Sequence, residues 1–217
     1  MASPVTRRAP DRSAALTQYR RRASVYDAEL ALFEPIRGDA VAALRLRPGA
    51  KVLDVGCGTG LSFPLLHHRI GNFGRIVGIE QSPEMMAQAQ ARTAENGWHN
   101  VDLVCAPAAT AQVPVQADAA LFHFTHDILR EPAAIANVLA HLKPGARVVA
   151  SGLRWAAPWA WPTNAFVMIA AMHSVSSFEG LGRPWDKLGA HLRELEVQTA
   201  LMGGIYIASG VYQPAWH

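Results

Sequence analysis

Val52-Leu53-Asp54-Val55-Gly56-Cys57-Gly58-Thr59-Gly60 decides the fold. A short apolar run enters a glycine-rich turn, and a helical pattern follows it. Glycines at 56, 58 and 60 leave no side chain between the main chain and whatever lies above the turn. They also permit backbone angles that other residues avoid. A ligand can then lie on the backbone at the carboxyl end of the strand, where open α/β sheets bind their ligands. The spacing is G-x-G-x-G. A dinucleotide fingerprint needs its third glycine at position 61, and Leu61 stands there. A nicotinamide-dependent oxidoreductase is therefore the weaker alternative.

Working outward, strands and helices alternate. The pattern predicts strands at Lys51–Val55, Arg75–Glu80, Val101–Cys105, Asp118–His123 and Ala146–Gly152. Helices are expected at Leu61–Ile70, Pro83–Asn96, with Ser82 as N-cap, and Ala133–Leu142. Ser13–Leu46 reads as two helical pieces meeting near Pro35–Gly38, with Tyr19 and Tyr26 on one face. Pro184–Arg193 looks helical. Leu195–Leu201 and Ile205–Ser209 read as a hairpin joined at Gly203-Gly204. The fold class is α/β: a mostly parallel seven-stranded sheet, helices on both faces, and an antiparallel hairpin at its end. Residues 1–13 read as a disordered lead-in. Residues 14–217 read as one domain, with a helical cap at 14–47 and an insertion at 154–182.

The chain has 217 residues, half of them hydrophobic, and a formal charge of +3. That length carries one domain with a full core. The basic excess is concentrated in Arg7, Arg8, Arg12, Arg20, Arg21 and Arg22. This run is either a solvated face or a contact with an anionic membrane surface. No second basic cluster with interleaved aromatics points to nucleic acid. The two cysteines, Cys57 and Cys105, form neither a disulfide framework nor a metal spacing. No signal peptide or convincing transmembrane segment is read, so a cytoplasmic protein is expected, as monomer or homodimer.

Read whole, V-L-D-V-G-C-G-T-G resembles the class I methyltransferases that use S-adenosyl-L-methionine and release S-adenosyl-L-homocysteine. Glu80-Gln81-Ser82-Pro83-Glu84-Met85, twenty residues beyond Gly60, is similar to a second motif of that family. The resemblance implies a Rossmann-like methyltransferase fold. It also implies that Asp54, Gly56, Cys57, Gly58, Thr59 and Gly60 hold the methionine part of the cofactor. Glu80 accepts hydrogen bonds from the ribose hydroxyls. Gln81 and Met85 flank the adenine, Tyr19 and Tyr26 cover the site, and Phe122 borders it. An acidic residue commonly follows the third strand in this family. Here the run is Cys105-Ala106-Pro107-Ala108-Ala109-Thr110, so backbone around Ala106, Pro107 and Ala108 is left to hold the adenine. That gap is the best support for a second alternative, an inactive cofactor-binding scaffold.

The acceptor side is less defined. His123 and His126 are candidates for a general base, with His126 slightly favoured because Asp127 adjoins it. They lack a third ligand at a recognisable spacing, and no metal is expected. Trp155, Trp159 and Trp161 follow the fifth strand near the mouth of the sheet. They suit an apolar acceptor pocket, a membrane-facing lid, or extra core with a dimer contact. The expectation is methyl transfer to an amine or hydroxyl of a small, fairly hydrophobic molecule or lipid head group. Tyr26 to Met85 is nearest to the bacterial phosphatidylethanolamine and ubiquinone/menaquinone-type methyltransferases.

Overall fold

The structure is a computed structural model that describes residues 33–174 and 177–214. The expected lead-in, the first cap helix, Tyr19 and Tyr26 lie outside the described residues.

Helix α1, Glu34–Ala43, starts at Pro35, whose missing N–H costs nothing in a first turn. It runs from Glu34 through Gly38 without a break, and the expected first helical piece lies outside the described residues. Arg37, Ala40, Val41 and Leu44 are buried together, at the spacing of one helix face. Next come β1 (Lys51–Val55), α2 (Phe63–Ile70), β2 (Arg75–Glu80), α3 (Pro83–Glu95) and β3 (Val101–Cys105). They are followed by β4 (Ala117–His123), α4 (His126–Leu129), α5 (Pro132–Ala140) and β5 (Leu142–Leu153). The last elements are α6 (Trp161–Ser174), α7 (Asp186–Gly189), β6 (Leu192–Ala200) and β7 (Ile205–Tyr212).

The seven strands form one sheet in the order β3-β2-β1-β4-β5-β7-β6. The first five are parallel, while β7 is antiparallel to both β5 and β6. The expected hairpin is present, but its first strand begins earlier. The expected helix at Pro184–Arg193 shrinks to α7. At Gly189 a Cβ would stand 2.9 Å from Leu195 Cδ2, so this glycine lets the chain turn back under the strand. Strand β5 likewise begins four residues early, at Leu142, by pairing with Ala117.

Strand side chains alternate between faces. Leu53, Val55, Ala120 and Phe122 join α5 residues Ile135, Val138 and Leu139 in one core layer. Val52, Ala119, Leu121 and Val149 join Val41 and Leu44 of α1 and Phe63, Leu66 and Ile70 of α2 in the other. Arg147 of β5, on this second face, donates from Nε to the Ala43 carbonyl (3.1 Å) and from Nη2 to Ser209 Oγ (3.0 Å). It thereby ties the carboxyl end of α1 to the sheet.

Gly78, in the middle of β2, lets α2 and the glycine turn lie on the strand. A Cβ there would stand 2.8 Å from Phe63 Cζ and 2.9 Å from Cys57 Sγ. Gly78→Ala is expected to destabilise the protein by about 1–3 kcal/mol. A urea titration should show a lower midpoint with an unchanged slope. An unchanged midpoint would mean that the turn does not rest on this strand.

Candidate functional site

Alternation places the site. Asp54 shares a face with Val52 and so points toward α1, where Arg37 waits. Both are deeply buried, Asp54 at 1% exposure and Arg37 at 2%. Arg37 Nη1 donates to Glu34, but among the described residues Arg37 Nε and Asp54 Oδ2 have no hydrogen-bond partner. Burial pushes the Asp54 carboxyl up to about 7; the Arg37 charge opposes that rise and the Glu80 charge adds to it.

Glu80 ends β2 beside the turn. Its Oε2 accepts the Gly58 N–H (3.1 Å) and its Oε1 the Ser82 N–H (2.8 Å). Burial raises its carboxyl, and these backbone donors oppose the rise. Ser82 caps α3 as expected, accepting the Met85 N–H at 3.3 Å. Arg92 of α3 donates to the Thr59 carbonyl (3.0 Å) and steadies the turn from the other side.

The three glycines differ in what they do, although all have positive φ. At Gly56 a Cβ would stand 2.6 Å from Thr125 Cγ2, and at Gly60 2.6 Å from the Phe63 ring. Those two make room for the protein itself. At Gly58 nothing lies within 4 Å. Its bare backbone faces the cleft.

That cleft is partly open to solvent. It brings together five residues expected in the cofactor site, Asp54, Gly56, Cys57, Gly58 and Thr59, with the acceptor-side candidate His123. It adds Arg37, Leu61, Ser62 and Phe124. Gly60 lies beneath, against Phe63, and Glu80 adjoins the cleft through Gly58. Gln81 is exposed, and Met85 is buried in the first turn of α3. Past β3, Ala106 donates its N–H to the Glu80 carbonyl, and Asn137 Nδ2 donates to the Ala108 and Ala111 carbonyls. Pro107 is half-buried between them.

Phe122 is fully buried in the opposite core layer and does not line the cleft. Its neighbour His123 points the other way, so the two cannot border one site. Phe124 takes the place expected for Phe122. It sits in the left-handed region (φ 57°), which costs a non-glycine residue energy and is common at functional sites. Its ring packs on Phe33, with centroids 4.8 Å apart.

The two histidines separate as well. His123 Nδ1 pairs with Ser151 Oγ (2.7 Å), and its buried Nε2 has no partner. Burial and the Arg37 charge push its pKa down to about 3, so the ring is neutral. His126, favoured on sequence, is not among the lining residues; its Nε2 bonds the Glu179 carbonyl (3.0 Å). Arg130 pairs with the Glu179 carboxylate (2.6 Å), so both side chains anchor the loop after α6.

Arg37 and Phe124 were missed from sequence. Arg37 had a legible signal, as an arginine in phase with Ala40, Val41 and Leu44 on the apolar face of a helix.

Residues 52–145 match the family described as a methyltransferase domain. A 53-residue stretch is 45% identical to phosphatidylethanolamine N-methyltransferase of Cereibacter sphaeroides, covering 24% of this chain and 24% of that one. Over 84 residues the chain is 34% identical to nocamycin O-methyltransferase of Saccharothrix syringae, covering 38% and 30%. These matches span under a third of the relatives' length. The crystal structure of N-methyltransferase NodS from Bradyrhizobium japonicum WM9, in complex with S-adenosyl-L-homocysteine, superimposes with a TM-score of 0.61. It is 18% identical and covers 84% of this chain and 88% of that one. Residues 52–145 are thus similar to a methyltransferase domain, in a chain with the fold of the class I methyltransferases.

Asp54 and His123 give a test of the buried site. Between the ordinary carboxylate range and about 7, the folded chain keeps a proton on Asp54 that the unfolded chain has lost. Stability from this group falls as pH rises. Between about 3 and the ordinary histidine range, the unfolded chain holds a proton that His123 lacks when folded. Stability from this group rises with pH. The two slopes oppose each other across roughly pH 4–6.5. Urea midpoints over that range should therefore rise with pH in Asp54→Asn and fall with pH in His123→Gln. Slopes of the same sign in both variants would rule out this assignment.

Proposed function

We propose that this chain transfers the methyl group of S-adenosylmethionine to an amine or hydroxyl of a small, fairly hydrophobic acceptor or lipid head group. The observation that carries the reading is the pair of orphaned polar atoms, Asp54 Oδ2 and Arg37 Nε, among the residues lining the cleft with the bare backbone of Gly58. A carboxylate and a guanidinium lining one cleft match the ammonium and carboxylate of an amino-acid moiety. S-adenosylmethionine has such a moiety and a dinucleotide does not. The buried carboxyls of Asp54 and Glu80 would instead repel a pyrophosphate.

In this reading Asp54 takes the cofactor's amino group, Arg37 its carboxylate, and Gly58 its backbone contact. The Glu80 carboxylate, which accepts backbone N–H groups of Gly58, Ser82 and Gln81, is left for the ribose. Gln81, Met85 and the backbone of Ala106–Ala108 are left for the adenine. The bound cofactor supplies a methyl group on a cationic sulfur. The chain itself contributes positioning, exclusion of water and a proton acceptor. His123 is placed to accept that proton, because it lines the cleft, Ser151 steadies its ring and Nε2 is unpartnered among the described residues, although its lowered pKa makes it a weak base. Leu61 and Phe124 give the cleft its apolar wall. The matched relatives, a phosphatidylethanolamine N-methyltransferase and a nocamycin O-methyltransferase, support transfer to nitrogen or oxygen.

A second reading, a cofactor-binding scaffold without turnover, draws on the missing carboxylate after β3. It is favoured by tight cofactor binding with no methylation across amine, hydroxyl and lipid acceptors.

Calorimetry tests the donor. S-adenosylmethionine should bind and NAD should not. An ammonium beside Asp54 lowers its pKa, so binding near pH 6.5 should release a proton, seen as a buffer-dependent heat. Asp54→Asn should abolish that release and weaken binding about 10–100-fold, the value of a charged hydrogen bond. Binding without proton release, or NAD binding in its place, would refute the assignment.

A further inference from the structure

Helix α6 carries two apolar faces, and the described residues cover one of them. Thr163, Val167 and Ala171 are buried on the inner face, with Val167 and Ala171 beside Leu153, Leu181 and Ile205. On the outer face Trp161, Ala165, Met168 and Met172 follow one another at spacings of four, three and four residues. Trp161 is 73% exposed, Met168 47% and Met172 58%. That spacing keeps side chains on one line along a helix, and it is the seam by which one helix packs along another. A helix apolar all round belongs in an interior rather than at a surface. Trp159 is exposed just before the helix, and Leu201 and Met202 are exposed in the turn that packs against α6 at Gly204. Of the twelve large hydrophobic side chains exposed among the described residues, nine lie in 159–178 or at Leu201–Met202. Exposure concentrated in this way marks an interaction surface.

Area and charge identify the occupant. At roughly 200 Å² per fully exposed side chain of this size, Trp159, Phe166, the outer stripe and Leu201–Met202 present about 800 Å² of apolar surface. A standard interface takes about 800 Å² from each partner. A twofold pair laid on this face therefore buries what a stable dimer needs. A twofold also sets the face against itself, so any charge on it would meet its own copy. From Trp155 to Phe178 the chain has no aspartate, glutamate, lysine or arginine. The face is thus free to meet itself. A helix lying on a lipid surface flanks its apolar side with lysine and arginine that reach the head groups. Helix α6 has neither residue. Among the described residues no helix is long and apolar enough to cross a membrane.

We infer that the outer face of α6, with Trp159 and Leu201–Met202 beside it, pairs with the same face of a second copy of this chain. Phe33 contacts both Phe166 of α6 (ring centroids 6.2 Å apart) and the cleft residue Phe124 (4.8 Å). The second copy therefore stands beside the apolar wall of the cleft. The inference goes beyond the proposed methyl transfer and does not depend on it.

Sedimentation equilibrium of the full chain tests it. A dimer should form at about 10 μM chain, since interfaces of this size bind at micromolar concentration or tighter. A Met168→Glu, Met172→Glu variant sets like charges across the twofold and should weaken the dimer about 100-fold or more. A Met168→Lys, Met172→Lys variant should do the same. An equimolar mixture of the two should regain a dimer, which variants that had merely misfolded would not do. Phe73→Ser, which removes an exposed ring from the turn before β2, should leave the dimer unchanged. Circular dichroism and S-adenosylmethionine binding should be unaltered in every variant, which separates failure here from failure of the cofactor reading. A chain that stays monomeric through the micromolar range would overturn the inference. So would a dimer that the glutamate variant leaves intact, or a mixture that stays monomeric. A monomer that binds phosphatidylglycerol vesicles, and loses that binding in the glutamate variant, would give the face to a lipid surface. A monomer whose glutamate variant loses thermal stability would give it to the residues that precede Phe33.

Discussion

The period-two alternation of the central strands is the constraint on which the site depends. At the carboxyl ends of β1, β4 and β5 it sends Asp54, His123 and Ser151 to one side, the side covered by α1 and α2. On the same face, nearer the other end of β5, Arg147 holds the carboxyl end of α1. The opposite end of α1 can then present Arg37 to Asp54. A buried carboxylate without a counter-charge is strongly disfavoured. Here the counter-charge lies on a helix that precedes the sheet in sequence. The chemistry of β1 and the docking of α1 are therefore one problem, solved once.

The glycine turn divides its work in a comparable way. Gly56 and Gly60 are needed because Thr125, Ile128 and Phe63 fill the space where a side chain would be. Gly78 in β2 serves the same packing from below. Only Gly58 has its open side toward solvent. A glycine motif is easily read as ligand-facing throughout. In this turn, two of the three positions keep the loop seated and the third leaves backbone bare. Glu80 adds a further tie, because the carboxylate expected to face a ribose also accepts the Gly58 N–H. The expected ribose contact and the loop geometry thus fall on one side chain.

Much of this was legible in the sequence. The parallel strands stand out as apolar runs bounded by glycine and proline, and Val101–Cys105 matches to the residue. The seven-stranded sheet and its closing hairpin follow from the order of elements. Boundaries were lost where a glycine lets chain pass under chain, as at Gly189 beneath Leu195, because such close approach is a tertiary event. Arg37 could have been found, since its phase with Ala40, Val41 and Leu44 buries a charge that must meet another. Phe122 could have been rejected, since a strand cannot aim residues 122 and 123 into one cleft. The left-handed bend at Phe124 has no sequence signal: it is imposed by the link from β4 to α4. The edge of α6 is different again. Its residues are mostly apolar, and only the structure shows that Met168, Ile169 and Met172 on one side are exposed.

His123 and His126 show why residue type and spacing under-determine chemistry. They are three apart, and on sequence the neighbouring acid favoured His126. Yet His126, whose buried Nδ1 is also unpartnered among the described residues, lies outside the cleft lining, spends its Nε2 on a main-chain carbonyl and, with Arg130, anchors the loop at Glu179. His123 spends Nδ1 on a buried serine and leaves Nε2 without a partner. An unpartnered nitrogen in a buried ring costs stability in the unliganded protein. Burial and the Arg37 charge, which push its pKa down to about 3, also hold the ring in its neutral, proton-accepting form. The Arg37 charge that opposes the rise of the Asp54 carboxyl is the charge that keeps His123 unprotonated. One buried guanidinium therefore acts on both titrating groups of the cleft in the same direction, favouring the ionised Asp54 carboxylate and the unprotonated His123 ring.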